Sequence, residues 1–152
     1  MSRLKRIIWK VGGSIIPSYY KYIHKMDIGD NVVIARTAVL DKNVNPQGIH
    51  IGDNTWILRN ATVLAHDHCR SLYESKGLFN TTIGKNCIIG INSIILPGIT
   101  VGDHCVVAAG AVVTKNTPPH TLLAGNPAKV IKTGISVNNQ GQIIDRGEVE
   151  DV

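Results

Sequence analysis

Aliphatic residues recur in this chain at every sixth position. Ile28, Ile34 and Leu40 form one block, Ile51, Ile57 and Val63 a second, and Ile83, Ile89, Ile95, Val101, Val107 and Val113 a third. Ile, Val and Leu together make up 45 of the 152 residues, so twelve matches arise by chance on the order of once in 10⁶ trials. The following residue is often small (Gly29, Ala35, Gly52, Gly84, Gly90, Gly102, Ala108), and the fourth after it is small or apolar (Ala38, Thr55, Ala61, Cys87, Ser93, Cys105, Ala111). Six is neither the helical period nor the strand period of two. It suits strands of a few residues joined by tight corners, three of which close a coil of 18 residues. Coils stacked at the strand spacing of about 4.8 Å make a solenoid with aliphatic columns inside a narrow prism. The spacing places Ile83 over Val101, Ile89 over Val107 and Ile95 over Val113. Ile and Val outnumber Leu by 36 to 9, which excludes an all-helical bundle. The predicted fold is an all-β solenoid, a parallel β-helix of about four coils spanning 28–118.

The repeat breaks twice. Leu40 to Ile51 is five residues longer than one hexad, and Val63 to Ile83 is 14 longer. An insertion in a solenoid must loop outward, so residues 69–82 are expected to protrude, and long ordered loops on rigid scaffolds carry function. Residues 1–27 are basic at Arg3, Lys5, Arg6 and Lys10 and are interrupted by Gly12, Gly13 and Pro17. They lack the unbroken apolar run of a signal peptide, and no run reaches the roughly 18 residues of a membrane span. A packed N-terminal helical segment on a cytoplasmic protein is expected; Trp9 with Ile7, Ile8 and Val11 touching a membrane surface is the alternative. Residues 119–132 are expected as a terminal loop. Residues 133–152 form a tail of net charge −3, with a hairpin turn near Asn139-Gln140-Gly141 and a solvated end, against +5 for the whole chain. The remaining 132 residues therefore carry +8, which suits an anionic ligand. No recognised nucleic-acid motif accompanies it. Cys87 and Cys105 lie one coil apart and are expected as reduced, buried thiols. Trp56 falls at an outward position, expected either at a subunit interface or against the N-terminal segment.

The hexads, the His66-bearing loop and the run VVAAGAVVTKNTPPHTLLAGNPAKVI at 106–131 resemble the hexapeptide-repeat acyltransferases over residues 28–132. The branch resembled is the sugar O-acetyltransferases of maltose, galactoside and surface-polysaccharide type. The resemblance implies a left-handed β-helix, a homotrimer with active sites between subunits, acetyl-CoA as co-substrate, no metal and a saccharide acceptor. It implies His66 as general base, needed because a sugar hydroxyl is a weak nucleophile. It places Gly90, Ile91, Ala109, Thr114, Lys115, Lys129 and Lys132 against coenzyme A, Lys129 and Lys132 standing where family members often carry Arg. His68 is expected at the acceptor or orienting His66. Asp67 or a backbone carbonyl could orient that imidazole, and Tyr73, Glu74, Phe79 and Asn80 could line an acceptor pocket. The maltose and galactoside enzymes bind their acceptor with an Asn on an early coil; here Ala35 falls near that place, with Arg36 beside it.

The expected function is thus acetyl transfer to a sugar hydroxyl of a bacterial surface-polysaccharide or lipopolysaccharide precursor. Serine O-acetylation and N-acylation of an amino sugar are alternatives using similar machinery. A non-enzymatic scaffold is a rival of another class. So is a zinc carbonic anhydrase, which needs two His in an H-x₄-H spacing; His24, His50, His66, His68, His104 and His120 include no such pair.

Overall fold

The computed structural model describes residues 15–70 and 75–149. Expectations for Ile7, Ile8, Trp9, Val11, Tyr73 and Glu74 lie outside them. Among the described residues, fifteen strands, most only two or three residues long, follow a short helical segment over 15–23 whose last turn is the π-type stretch Tyr19–Ile23. The first coil holds β1 (Asp27–Ile28), β2 (Val33–Ile34) and β3 (Val39–Leu40). The second holds β4 (Ile49–Ile51), β5 (Trp56–Ile57) and β6 (Thr62–Val63). The third holds β7 (Thr81–Ile83), β8 (Ile88–Ile89) and β9 (Ile94–Ile95), and the fourth β10 (Thr100–Val101), β11 (Val106–Val107) and β12 (Val112–Val113). A fifth turn starts with β13 (Thr121–Ala124), then folds back as a hairpin of β14 (Lys129–Val137) and β15 (Ile143–Val149).

Three parallel faces result. Face A is β1-β4-β7-β10, face C is β3-β6-β9-β12, and face B runs β2-β5-β8-β11-β13 before the antiparallel hairpin extends it. The register is the one the sixfold spacing demands: Ile83 pairs with Val101, Ile89 with Val107 and Ile95 with Val113. All twelve hexad aliphatics point inward and are 3% exposed or less. Each coil buries its aliphatic triangle only against the coils above and below, so stability propagates along the stack.

The small residues after the aliphatics answer to close approach between coils. A Cβ at Gly90 would lie 2.5 Å from the Val107 carbonyl oxygen, and one at Gly84 2.7 Å from the Asp103 nitrogen. The fourth positions satisfy backbone groups that the corners leave open. Thr55 Oγ1 donates to the Gly84 carbonyl at 2.7 Å and accepts the Cys87 N–H at 3.1 Å, and Ser93 Oγ donates to the Gly90 carbonyl at 2.7 Å. Cys87 and Cys105 are buried and unbridged.

The C-terminal region differs from expectation in two respects. Within the loop expected over 119–132, residues 121–124 and 129–132 are paired strands, and beyond the hairpin turn expected near Asn139-Gln140-Gly141 residues 145–149 stay paired with β14 instead of trailing as a solvated end. The hairpin lies along the corner between faces A and B. His120 Nδ1 meets the Ile135 carbonyl at 2.9 Å and His104 Nδ1 the Val137 carbonyl at 3.0 Å, with the two imidazoles stacked at 4.8 Å. Its turn then reaches Trp56: a Cβ at Gly141 would stand 2.9 Å from the indole. Within the chain, the outward Trp56 is thus covered by the hairpin turn, a third solution beside the two expected from sequence.

Candidate active site

Both insertions leave the prism from the corner between faces C and A. The shorter begins at Asp41, directly after the inward Leu40; the longer begins after Val63, which pairs with Leu40 one coil below. The two departures therefore lie side by side. Asp41 is 6% exposed, and its Oδ2 accepts the Ala65 N–H at 3.0 Å and is hydrogen-bonded to Nδ1 of His66. A carboxylate accepts only, so Nδ1 carries the proton and Nε2 keeps the lone pair that can act as a base. A buried carboxylate also favours the imidazolium that forms when Nε2 takes a proton.

The base of the long loop is clamped around this pair. Phe79 N–H donates to the Ala65 carbonyl and Asp67 N–H to the Gly77 carbonyl, both at 2.8 Å, while His66 bridges to Leu78. Asn45 sends its side-chain amide to the carbonyls of Ala65 and Phe79, each at 2.9 Å, tying the short insertion to both strands of the loop base. Beyond it, Arg70 lies over the Phe79 ring at 4.1 Å, donates to the Pro97 carbonyl at 3.0 Å and pairs with Asp67 at 2.8 Å. These contacts hold the His66 backbone from both sides, which is how a loop gains the rigidity a catalytic side chain needs.

Asp67 does not orient His66. Its oxygens accept from Arg70 Nε at 2.8 Å and from the Cys69 N–H at 2.9 Å, and the Arg70 hydrogen bond is the main reason its carboxyl is held below the usual carboxylate range. Adjacent side chains on extended backbone point to opposite sides, so the neighbour in sequence is a poor partner and the residue one coil below is a good one. The ring of His68, on an exposed turn, meets that of His66 edge-on at 5.0 Å. Asn80 is exposed where the loop rejoins the prism.

The remaining positions divide between two corners. Thr114 and Lys115 follow Val113, in the column that holds Val63 and Ile95, and so share the C/A corner with His66 two coils below. Gly90, Ile91 and Ala109 share the B/C corner, with Arg36 exposed in the same column on the first coil. Lys129 and Lys132 stand on β14, paired with Ala124 and Leu122 at the top of the stack. Sequence reasoning missed Asp41 and Asn45. The available signal was register: an Asp in the first position after an inward aliphatic, at a coil break, falls beside the break that carries the histidine. Among the described residues no three His, Cys, Asp or Glu side chains converge as a metal site requires.

A parallel β-helix of short coils with an inward aliphatic at every sixth residue defines the class of hexapeptide-repeat proteins. The sequence profile for the hexapeptide repeat of succinyl-transferase matches residues 80–115. A maltose O-acetyltransferase from Clostridium difficile 630 is 30% identical, with a TM-score of 0.53 over 70% of this chain and 68% of that one. A galactoside acetyltransferase solved with coenzyme A is 25% identical, with a TM-score of 0.57 over 93% of this chain and 88% of that one. The galactoside O-acetyltransferase of Escherichia coli K12 is 36% identical over 76% of this chain, which spans 58% of that protein's length. The chain belongs to the hexapeptide-repeat acyltransferase family, and its fold is the left-handed parallel β-helix, a hand the sixfold period had left open.

Proposed function

We propose that the chain transfers an acetyl group from acetyl-CoA to a hydroxyl of a saccharide, a surface-polysaccharide or lipopolysaccharide precursor, with His66 as general base. The observation that carries this is the Asp41–His66 pair, a half-buried imidazole held by a buried carboxylate at the root of a clamped loop in the same corner as Thr114 and Lys115. The sugar hydroxyl attacks the thioester carbonyl as His66 Nε2 takes its proton. Asp41 keeps the imidazole in the required tautomer and stabilises its charge. Collapse of the tetrahedral intermediate breaks the carbon–sulfur bond, and the departing thiolate recovers the proton from His66. The products are the acetyl ester and free CoA. Asp41 acts through His66 and is a positioning residue.

Coenzyme A is strongly anionic, and Lys115, Lys129 and Lys132 supply cations for its phosphates. Gly90, Ile91 and Ala109 lie across face C from His66. Five residue steps separate Ala109 from Thr114, at most about 17 Å at roughly 3.3 Å per step. Two copies meeting along this face bring one corner of each together, so we place the site between subunits of a homotrimer. Arg36, His68, Asp67, Tyr73 and Asn80 are the candidates for acceptor contact.

The test is incubation with acetyl-CoA and a panel of nucleotide sugars and oligosaccharides, read by mass spectrometry. A saccharide gains one acetyl group with the wild type, and His66→Ala removes the activity while retaining the fold. Acetylation of serine or of an amine in preference to a sugar hydroxyl, or full transfer by His66→Ala, defeats the proposal.

A further inference from the structure

Two arginines share one edge of the prism. Arg36 and Arg59 occupy a single column of the B/C corner, on the first and second coils, below Ile91 and Ala109 on the third and fourth. Backbone hydrogen bonds fix the register. The Ala35 N–H donates to the Ile57 carbonyl and the Leu58 N–H to the Ile89 carbonyl, both at 2.9 Å, and the Asn92 N–H to the Arg59 carbonyl at 3.1 Å. Both arginines are exposed. Neighbouring coils lie about 5 Å apart, so the two stand one directly above the other.

Among the described residues the acids of the prism lie elsewhere. Asp30, Asp53 and Asp103 follow β1, β4 and β10 in the A/B corner, Asp27 is on face A, and Asp41 and Asp67 are held in the C/A corner by His66 and Arg70. On the first four coils the outward residues of faces B and C, which flank the arginines, carry no charge. Arg70 and Lys85 each have a carboxylate, whereas among the described residues neither Arg36 nor Arg59 has an ion pair or a side-chain hydrogen bond. Like charges opposite each other on paired strands repel. An anion shared by both guanidinium groups relieves that repulsion, and each group can take a carboxylate or phosphate through two parallel N–H bonds.

The height of the pair along the stack separates it from the cations assigned to coenzyme A. In a ring of copies about an axis parallel to the prisms, each coil is level with the same coil of its neighbour. The C/A corner of one copy then faces the B/C corner of the next, with Arg59 at the level of the second coil, from which the His66 loop departs after Val63. Lys115 follows the fourth coil and Lys129 and Lys132 lie above it. The lysines are thus above the reacting centre, and the arginines are level with it and below, on the acceptor side. We propose that Arg36 and Arg59 bind the acceptor through an anionic substituent, which makes the substrate a saccharide bearing a carboxylate or phosphate and Arg59 a specificity-determining residue. This deepens the acetyl-transfer reading and rests on it.

The full chain is assayed with acetyl-CoA and matched acceptors: hyaluronan oligosaccharides against their carboxyl-reduced forms, galacturonate oligomers against galactose oligomers, and glucose 1-phosphate against glucose. Acidic members are used with a kcat/KM roughly tenfold or more above their neutral counterparts, as loss of one hydrogen bond between charged groups implies. The carboxylate and phosphate arms report which anion is held. Arg36→Gln and Arg59→Gln each raise KM for the acidic acceptor about tenfold and pull the acid-to-neutral ratio toward one, with KM for acetyl-CoA within about twofold. Arg59→Lys restores part of the ratio, and either glutamine variant decides the matter if the other fails to fold. Neutral acceptors used as well as acidic ones, or a ratio kept by the glutamine variants, overturns the proposal. So does a rise in KM for acetyl-CoA in those variants, which assigns the arginines to the nucleotide. Transfer to neutral sugars alone leaves the acetyl-transfer reading standing, whereas transfer to no saccharide at all defeats both.

Discussion

Replacing Asp41 by Asn separates the charge of this residue from its shape. Both the Ala65 N–H and the His66 Nδ1–H are directed at one oxygen of Asp41. A neutral amide can place its carbonyl oxygen there and still accept both, so the imidazole keeps its tautomer and no buried donor is orphaned. What disappears is the negative charge beside an imidazole that becomes cationic in the transition state. Hydrogen bonds to charged groups contribute about 1.5–3 kcal/mol against about 0.5–1.5 kcal/mol for neutral ones. Two unit charges about 4 Å apart near a protein surface interact by about 4 kcal/mol. The loss therefore falls at about 1–4 kcal/mol, or roughly fivefold to a thousandfold in kcat. KM for acetyl-CoA stays within about twofold, because Asp41 is set back behind His66 and acts through its imidazole. Asp41→Ala differs in kind: it leaves the Ala65 N–H buried without its acceptor and costs about 1–3 kcal/mol of stability as well. The assay is steady-state thiol release from acetyl-CoA with a saccharide acceptor, alongside thermal unfolding. If Asp41→Asn retains kcat within a factor of two, the charge of Asp41 does nothing for catalysis and the dyad argument fails.

Further outcomes follow from the same geometry. Asn45→Ala removes the bonds that tie Ala65 to Phe79, and it should lower kcat about tenfold or more with a smaller change in unfolding midpoint, since about 1 Å of misplacement suffices to slow chemistry. Gly84→Ala places a Cβ 2.7 Å from the Asp103 nitrogen and should cost about 1–3 kcal/mol in denaturant unfolding; a neutral result would mean the coil spacing is more elastic than the packing implies. Burial pushes the Cys87 thiol up to about 12 from an ordinary value of 9.0. The unfolded chain loses this proton first, so the contribution is fully present below about pH 9 and is lost as pH rises toward 12. Stability should then fall by up to about 1.4 kcal/mol per pH unit above pH 9, and Cys87→Ala should flatten that limb in denaturation curves at pH 8 and 10. In native protein, thiol titration should find Cys69 fast and both buried cysteines slow, as thiolate reactivity requires access.

Much of the architecture can be read from residue spacing because each coil repeats one local solution. Twelve aliphatics mark twelve inward positions, and glycine or a small residue marks the next corner. His66 stands out because it opens the longer break in that pattern. Asp41 does not stand out, since an acid in a loop is ordinary until the coil beneath His66 is known. Asp67 was one of two partners that adjacency in sequence offered, beside a backbone carbonyl, yet the loop turns it to Arg70. Trp56 posed a question that spacing raised and did not answer, because its cover, Gly141, arrives from a hairpin 85 residues later.

The sequence alone determined the prism: a period of six in β-branched residues admits one regular way to bury them, and the register follows by counting. The tertiary structure decided what the insertions and the terminus do. Their side chains meet across coils, at separations set by loop lengths that no period constrains, so the Asp41–His66 pair, the Asn45 clamp and the covered Trp56 exist only once the stack is built. Hydrogen bonding and burial choose those partners in space, where neighbours one coil apart lie about 5 Å from each other whatever the chain distance between them.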